Sequence, residues 1–218
     1  VVDLLSFQLE QKLKATRALF SHWFINGYST SDDTSFDGLD KALTGSTTER
    51  KLTTALDLST AAAIKENWQE FLYELRQTIK LMDGAPTIMP VNADMFAVFQ
   101  SIADFSSQFT QTKNDLGSEI VKYGNTIIMP MGDQPGTSDP VIATDAEAGT
   151  TDLYLCRIGL DGVHGVTPDG QTAPAIYLPN MQLPGAVKKG EVEMVAAMAV
   201  KATRTAAVLR NIKVAATA

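Results

Sequence analysis

Between residues 61 and 84 the apolar side chains recur every three or four positions: Ile64, Trp68, Phe71, Leu72, Leu75, Ile79 and Met82. That spacing puts them on one face of an α-helix. Asp57-Leu58-Ser59-Thr60 offers capping oxygens ahead of it, and Gly84 and Pro86 stop it. Thr87-Ile88-Met89-Pro90-Val91 follows at once and reads as a short buried strand. Asn92 is placed to cap a further helix bearing Phe96, Phe99 and Ile102.

The same reading extends to the rest of the chain. Leu9, Leu13, Thr16, Phe20 and Trp23 keep helical spacing over residues 3–25, with Asn26-Gly27 as the stop, so this aromatic stripe is expected to pack in the core. Residues 29–35 are polar turn formers, and the FDGLDKAL stretch at 36–43 leads into a Thr/Ser-rich connector. Extended runs at 119–123 and 126–131 flank Gly124-Asn125 and predict a tight hairpin, because glycine supplies the positive backbone angle of the turn. Residues 132–151 are rich in Asp, Gly, Pro and Thr and are expected to form an exposed loop. Strands are predicted over 152–158 and 175–178, with a glycine-rich turn holding His164 between them. Residues 191–214 contain enough alanine for a helix, but their Val, Met and Ile favour two strands, 193–203 and 206–214. There is no internal repeat. Helices first, a mixed middle and strands last make an α+β protein.

A chain of 218 residues can bury a real core in one large domain or two small ones. Its formal net charge of −7 argues against a nucleic-acid-binding surface, which needs clustered Lys and Arg. Lys188-Lys189 is the only adjacent basic pair in the second half. A single cysteine excludes an internal disulfide and a multi-cysteine zinc site, and it fits a reducing compartment. No apolar run is long enough to span a membrane and no signal peptide is visible. The chain opens Val1-Val2-Asp3 without a methionine, which reads as a processed or truncated start.

The first candidate for chemistry is CRIGLDGVHGVTPDG, residues 156–170, where a turn separates Cys156 from His164 and would let the two face each other. A nucleophile needs an activating base, and the only histidines are His22 and His164. Cys156 lies in a hydrophobic strand, where an inert buried thiol is usual, and His22 sits beside Trp23 on a helix. Asp161 and Asp169 stand near His164, but no second histidine joins them, and the three flanking glycines suit a turn with positive backbone angles. Asp32-Asp33 and the alternating Glu191 and Glu193 read as solvated surface. No phosphate-cradling motif is present, and Gly132-Asp133-Gln134-Pro135-Gly136 lacks the following helix that such a site requires. No catalytic, cofactor-binding or metal-binding residue is expected, and a structural or interacting protein is the better reading.

Five stretches carry a resemblance to the major capsid proteins of tailed bacteriophages, whose Hong-Kong-97-type fold is shared with encapsulins. They are WFINGYSTSDDTSFDGLDKAL at 23–43, IMPVNADMFAVFQSI at 88–102, FTQTKNDLGSEIVKYGNTIIMPMGD at 109–133, LYLCRIGLDGVHG at 153–165 and AAMAVKATRTAAVLRNIKV at 196–214. They look like the family's spine helix with its following segment, its strand–asparagine–helix unit, its hairpin, its next strand and turn, and its closing strands. The resemblance implies an axial domain at 57–177 and a discontinuous peripheral domain made of 1–56 and 178–218. It also implies a chain lacking the family's N-terminal arm and extended E-loop hairpin. The implied function is a non-enzymatic subunit of an icosahedral phage head, assembling with itself into pentamers and hexamers around double-stranded DNA. Scaffold, protease or decoration proteins would be further partners, DNA contact would be weak, no membrane would be involved, and the site of action would be the virion, built in the bacterial cytoplasm. An encapsulin-type nanocompartment shell is the alternative, ahead of a Cys/His-dependent enzyme. Residues 132–151 are the candidate contact loop.

Overall fold

The computed structural model describes residues 4–113, 119–168, 173–179, 182 and 189–216. The chain begins with helix α1 (Leu4–Asn26) and a short α2 (Leu39–Leu43), then strand β1 (Glu49–Asp57) and helix α3 (Ala61–Leu81). Strand β2 (Ile88–Val91), helix α4 (Ala93–Phe105) and strands β3 (Phe109–Lys113), β4 (Glu119–Tyr123) and β5 (Thr126–Pro130) follow. The last part is β6 (Thr150–Cys156), β7 (Val163–Val166), β8 (Ala175–Tyr177), β9 (Glu191–Glu193), β10 (Ala197–Val200) and β11 (Ala206–Lys213). The class is α+β, as the pattern of the sequence implies.

Seven strands form one mixed sheet in the order β1-β11-β6-β2-β5-β4-β3. β11 runs parallel to β1 and antiparallel to β6, so the sheet joins residues from the start, middle and end of the chain. The central strands are buried on both faces, and alternation decides which side chain goes where. Leu153, Leu155, Ala207 and Leu209 face a core shared with Phe71, Leu75, Phe99 and Ile102 of α3 and α4. Tyr154, Cys156, Ala206 and Val208 face a second core with Ile25, Leu39, Leu43, Val141 and Ile142.

The helix ends follow their expected chemistry. Thr60 accepts a hydrogen bond from the Ala63 N–H at 3.1 Å and starts α3. Asn92 accepts from the Met95 N–H at 2.8 Å, and its amide donates to Thr144 at 2.9 Å and Thr151 at 3.0 Å. A buried asparagine that caps a helix and pins two hydroxyls has no apolar substitute. Asn92→Ala is expected to cost about 2 kcal/mol, a lost cap plus unsatisfied buried groups. Urea denaturation checks this, and a loss below about 0.5 kcal/mol would refute it. Gly124 has φ of 58° and turns the β4–β5 hairpin as predicted.

Six expectations need correction. The Thr/Ser-rich connector contains β1, and β3 was not read as a strand; these are the two edges of the sheet, where one side of the strand meets solvent and the sequence turns polar. Residues 132–151 do not form a wholly exposed loop, because Val141 and Ile142 are buried in the second core and β6 begins at Thr150. The run 193–203 is not one strand; it breaks into β9 and β10, which pair with β8 and β7 respectively. His164 lies in β7, opposite Ala199, and not in the turn before it. None of Gly159, Gly162 and Gly165 has a positive φ; a Cβ at Gly162 would stand 2.3 Å from the Arg157 carbonyl, so close backbone approach explains that glycine. Finally, the α1 stripe is only partly core. Phe20 and Trp23 pack on Phe36 with ring centroids 5.4 and 6.3 Å away, but Ile25 is the helix's one fully buried residue.

Candidate functional site

Cys156 and His164 do not form a hydrogen-bonded dyad. Cys156 is fully buried in the second core, and burial pushes its thiol well above the ordinary range. No hydrogen bond links it to His164 among the described residues, and the His164 Nδ1 is buried without a partner. A thiol in this setting is expected to resist iodoacetamide in the folded protein and to react after denaturation. Stoichiometric labelling of Cys156 under native conditions would contradict that and reopen nucleophilic chemistry.

The other sequence candidates are equally dispersed. Asp161 pairs with Arg157 at 3.1 Å on the surface, and Asp169 lies outside the described residues. His22 contacts the Asn26 amide at 3.4 Å on the same helix. Asp32 accepts from the Thr34 hydroxyl at 2.6 Å and its N–H at 2.9 Å, and these bonds hold its carboxyl below the usual range. Glu191 and Glu193 are exposed at the ends of β9. Gly132 and Gly136 have φ of 73° and 78° in an open turn. Lys189 is exposed, and Lys188 lies outside the described residues. Among the described residues, no group of three His, Cys, Asp or Glu is arranged to hold a metal ion, and no helix is long and apolar enough to cross a membrane.

What the structure does assemble is a charged cluster beneath α2. Arg210 reaches Glu49 at 2.5 Å, Asp40 at 2.8 Å and the Thr44 hydroxyl at 2.9 Å, and it also pairs with Asp152. The Tyr154 hydroxyl donates to Asp40 at 3.0 Å. Burial pushes both the Tyr154 hydroxyl and the Asp152 carboxyl up, although Arg210 opposes the shift at Asp152. A cavity of about 190 Å³ lies beside the cluster, lined in part by Asn26, Asp152 and Arg210.

A local irregularity of β11 makes this arrangement compatible with the core. Alternation puts Ala206, Val208 and Arg210 on the α2 side. Asn211 has φ of 73°, and the register with both β1 and β6 shifts around it. This bulge returns Ile212 to the core under α3 and α4. The Asn211 amide donates to the Leu52 carbonyl at 2.9 Å, which satisfies the disrupted ladder. Asparagine tolerates the left-handed region better than most residues. The sequence signal is the arginine inside the largely apolar run AAVLRNIKV.

The outer surface has a different character. Leu4, Leu160 and Leu178 are 67%, 80% and 71% exposed, and Phe7, Ile158, Val166, Ile176 and Tyr177 are also exposed. A groove of about 660 Å³ runs between the start of α1 and Lys189-Gly190, with Leu5, Phe7 and Leu9 in its wall.

No protein-family model matches the chain, and no curated protein matches it in sequence. Its three-dimensional structure does match a solved one. The cryoEM structure of the holo-SrpI encapsulin complex from Synechococcus elongatus PCC 7942 superimposes with a TM-score of 0.67 at 15% identity, over 99% of this chain and 68% of that one. The chain has an encapsulin-like, Hong-Kong-97-type fold. At this level of identity the likeness establishes the fold alone.

Proposed function

We propose that this chain is a structural subunit of a closed protein shell, of the encapsulin-type nanocompartment class. The observation that carries the reading is the superposition on an encapsulin shell protein over nearly the whole chain. The physical character of the surface agrees with it. Exposed leucines and aromatics at the start of α1 and around β7, β8 and the 158–160 turn are what neighbouring copies would cover. Shell contacts are the same on every subunit and close by rotation, so a repeated apolar margin on a rigid plate is the economical solution.

A phage head is the second reading, favoured by the five stretches of sequence that resemble tailed-phage major capsid proteins. In that case the shell would enclose double-stranded DNA and belong to a virion, with pentamers and hexamers as its units. The assignment of 57–177 to an axial domain belongs to both readings.

Negative-stain electron microscopy of the full-length natural protein, with light scattering on the same sample, tests the proposal. Closed particles are expected. Their contents separate the two readings: co-purifying protein cargo supports the nanocompartment, and nuclease-protected DNA supports the head. A monodisperse small species that persists across concentration would overturn both. Phe7→Ala is expected to change stability by less than about 0.5 kcal/mol, because the ring is half exposed, yet to reduce particle yield. Unchanged yield would remove α1 from the contact surface.

A further inference from the structure

We propose that the cleft at the C-terminal end of α3 is a phosphate-binding site. Thr47, Arg50, Gln77, Lys80, Leu81 and Arg204 line a concavity of about 450 Å³. Three of the chain's 18 basic residues converge there, on a protein whose net charge is −7. No carboxylate belongs to the lining.

The two guanidinium groups are held in place from behind. Arg50 donates from Nε and Nη2 to the Glu74 carboxylate, each at 2.6 Å. Arg204 donates from Nε to the Leu81 carbonyl at 3.2 Å. The Arg50 Nη1, both Arg204 Nη atoms and the Lys80 Nζ have no protein partner among the described residues. Preorganised forks of this kind suit a tetrahedral oxyanion, which accepts from several directions at once. Thr47 and Gln77, whose side chains carry neutral donors, belong to the same lining.

Charge points the same way. Arg50, Lys80 and Arg204 against Glu74 leave an excess of two positive charges, matching a hydrogen phosphate dianion or two backbone phosphates. A helix C-terminus ordinarily repels anions, because its last carbonyls are unsatisfied. Here the Leu81 carbonyl is occupied by Arg204, and Asp83, two residues further on, does not line the cleft. The site stands on its own geometry and does not depend on the shell reading.

Free phosphate and nucleic-acid backbone phosphate share this chemistry, and a titration separates them. The purified protein would be titrated calorimetrically at low ionic strength with inorganic phosphate and with a short single-stranded oligonucleotide. The double variant Lys80→Ala/Arg204→Ala would be measured alongside. Arg50 is left in place because its loss would strand Glu74. Saturable binding that weakens at least about tenfold in the double variant is expected, as for the loss of charge-assisted hydrogen bonds. Binding of phosphate but not of the oligonucleotide would assign a free-phosphate site. Oligonucleotide binding that phosphate competes away would assign the backbone. No saturable binding of either, or equal binding by a double variant that keeps the wild-type thermal midpoint, would overturn the proposal. Arg204→Lys should retain an intermediate affinity, which a purely structural role of Arg204 at Leu81 would not produce.

Discussion

Arg210→Met is expected to destabilise the protein by about 3 kcal/mol at neutral pH, measured by urea denaturation. The substitution keeps most of the side-chain volume and removes the one cation facing Asp40, Glu49 and Asp152. Breaking a buried pair leaves uncompensated charge, which costs about 3–5 kcal/mol when burial is complete. The lower figure applies here because Asp40 is 44% exposed and water screens it. A loss below about 1 kcal/mol would mean that solvent already carries the cluster. The loss should also shrink on acidification. Burial already raises the Asp152 carboxyl above 3.8, and removing Arg210 raises it further. A raised folded-state value means that the folded protein takes up the proton first, so the variant regains stability as pH falls through that range. Asp37 behaves in the opposite sense. Its hydrogen bonds from Lys41 and Ser29 hold it at about 2, so its contribution is full above 3.8 and is lost as pH falls towards 2. A gap between wild type and Arg210→Met that widens with acid would contradict the assignment of Asp152.

Phe99→Ala is expected to be as damaging, at about 3–5 kcal/mol. Phe99 is fully buried, and its ring centroid lies 5.5 Å from Phe71 and 5.7 Å from Phe109. Phe109 in turn sits 5.1 Å from Tyr123. The chain of rings ties α3 and α4 to the β3–β4 edge of the sheet, so a cavity at its centre loosens several elements together. Conservative Phe99→Leu should cost much less, since it keeps most of the apolar volume. Equal losses for both substitutions, read from denaturation midpoints, would show that the site depends on aromatic geometry and not on volume.

Helices α3 and α4, their caps Thr60 and Asn92, the β2 run and the β4–β5 turn were legible because each is determined locally. Helical periodicity, a capping oxygen and a glycine with positive φ are properties of neighbouring residues. The strand preference over 206–214 was legible despite its alanines, because Val208, Leu209 and Ile212 suit a strand buried on both faces. The absence of a recognisable reaction centre in the sequence pointed to an interacting protein, and the five resembling stretches pointed to the shell fold.

The edge strands β1 and β3 were not legible, because half of each faces solvent and polar residues satisfy it. Val141 and Ile142 looked like part of an open loop, since only the return of the chain under α1 makes them core. Most of all, nothing local announces that Asp40, Glu49, Asp152 and Arg210 meet, or that Arg50, Lys80 and Arg204 share a cleft. Those groups lie far apart along the chain and are brought together by the pairing of β11 with β1 and β6 and by the packing of α3 on that sheet. The sequence alone settled which long segments are helix and which central segments are strand, because those choices follow from short-range periodicity and capping. Tertiary structure alone decided where the charges gather and which apolar residues stay exposed, because both depend on contacts between segments that no local pattern encodes.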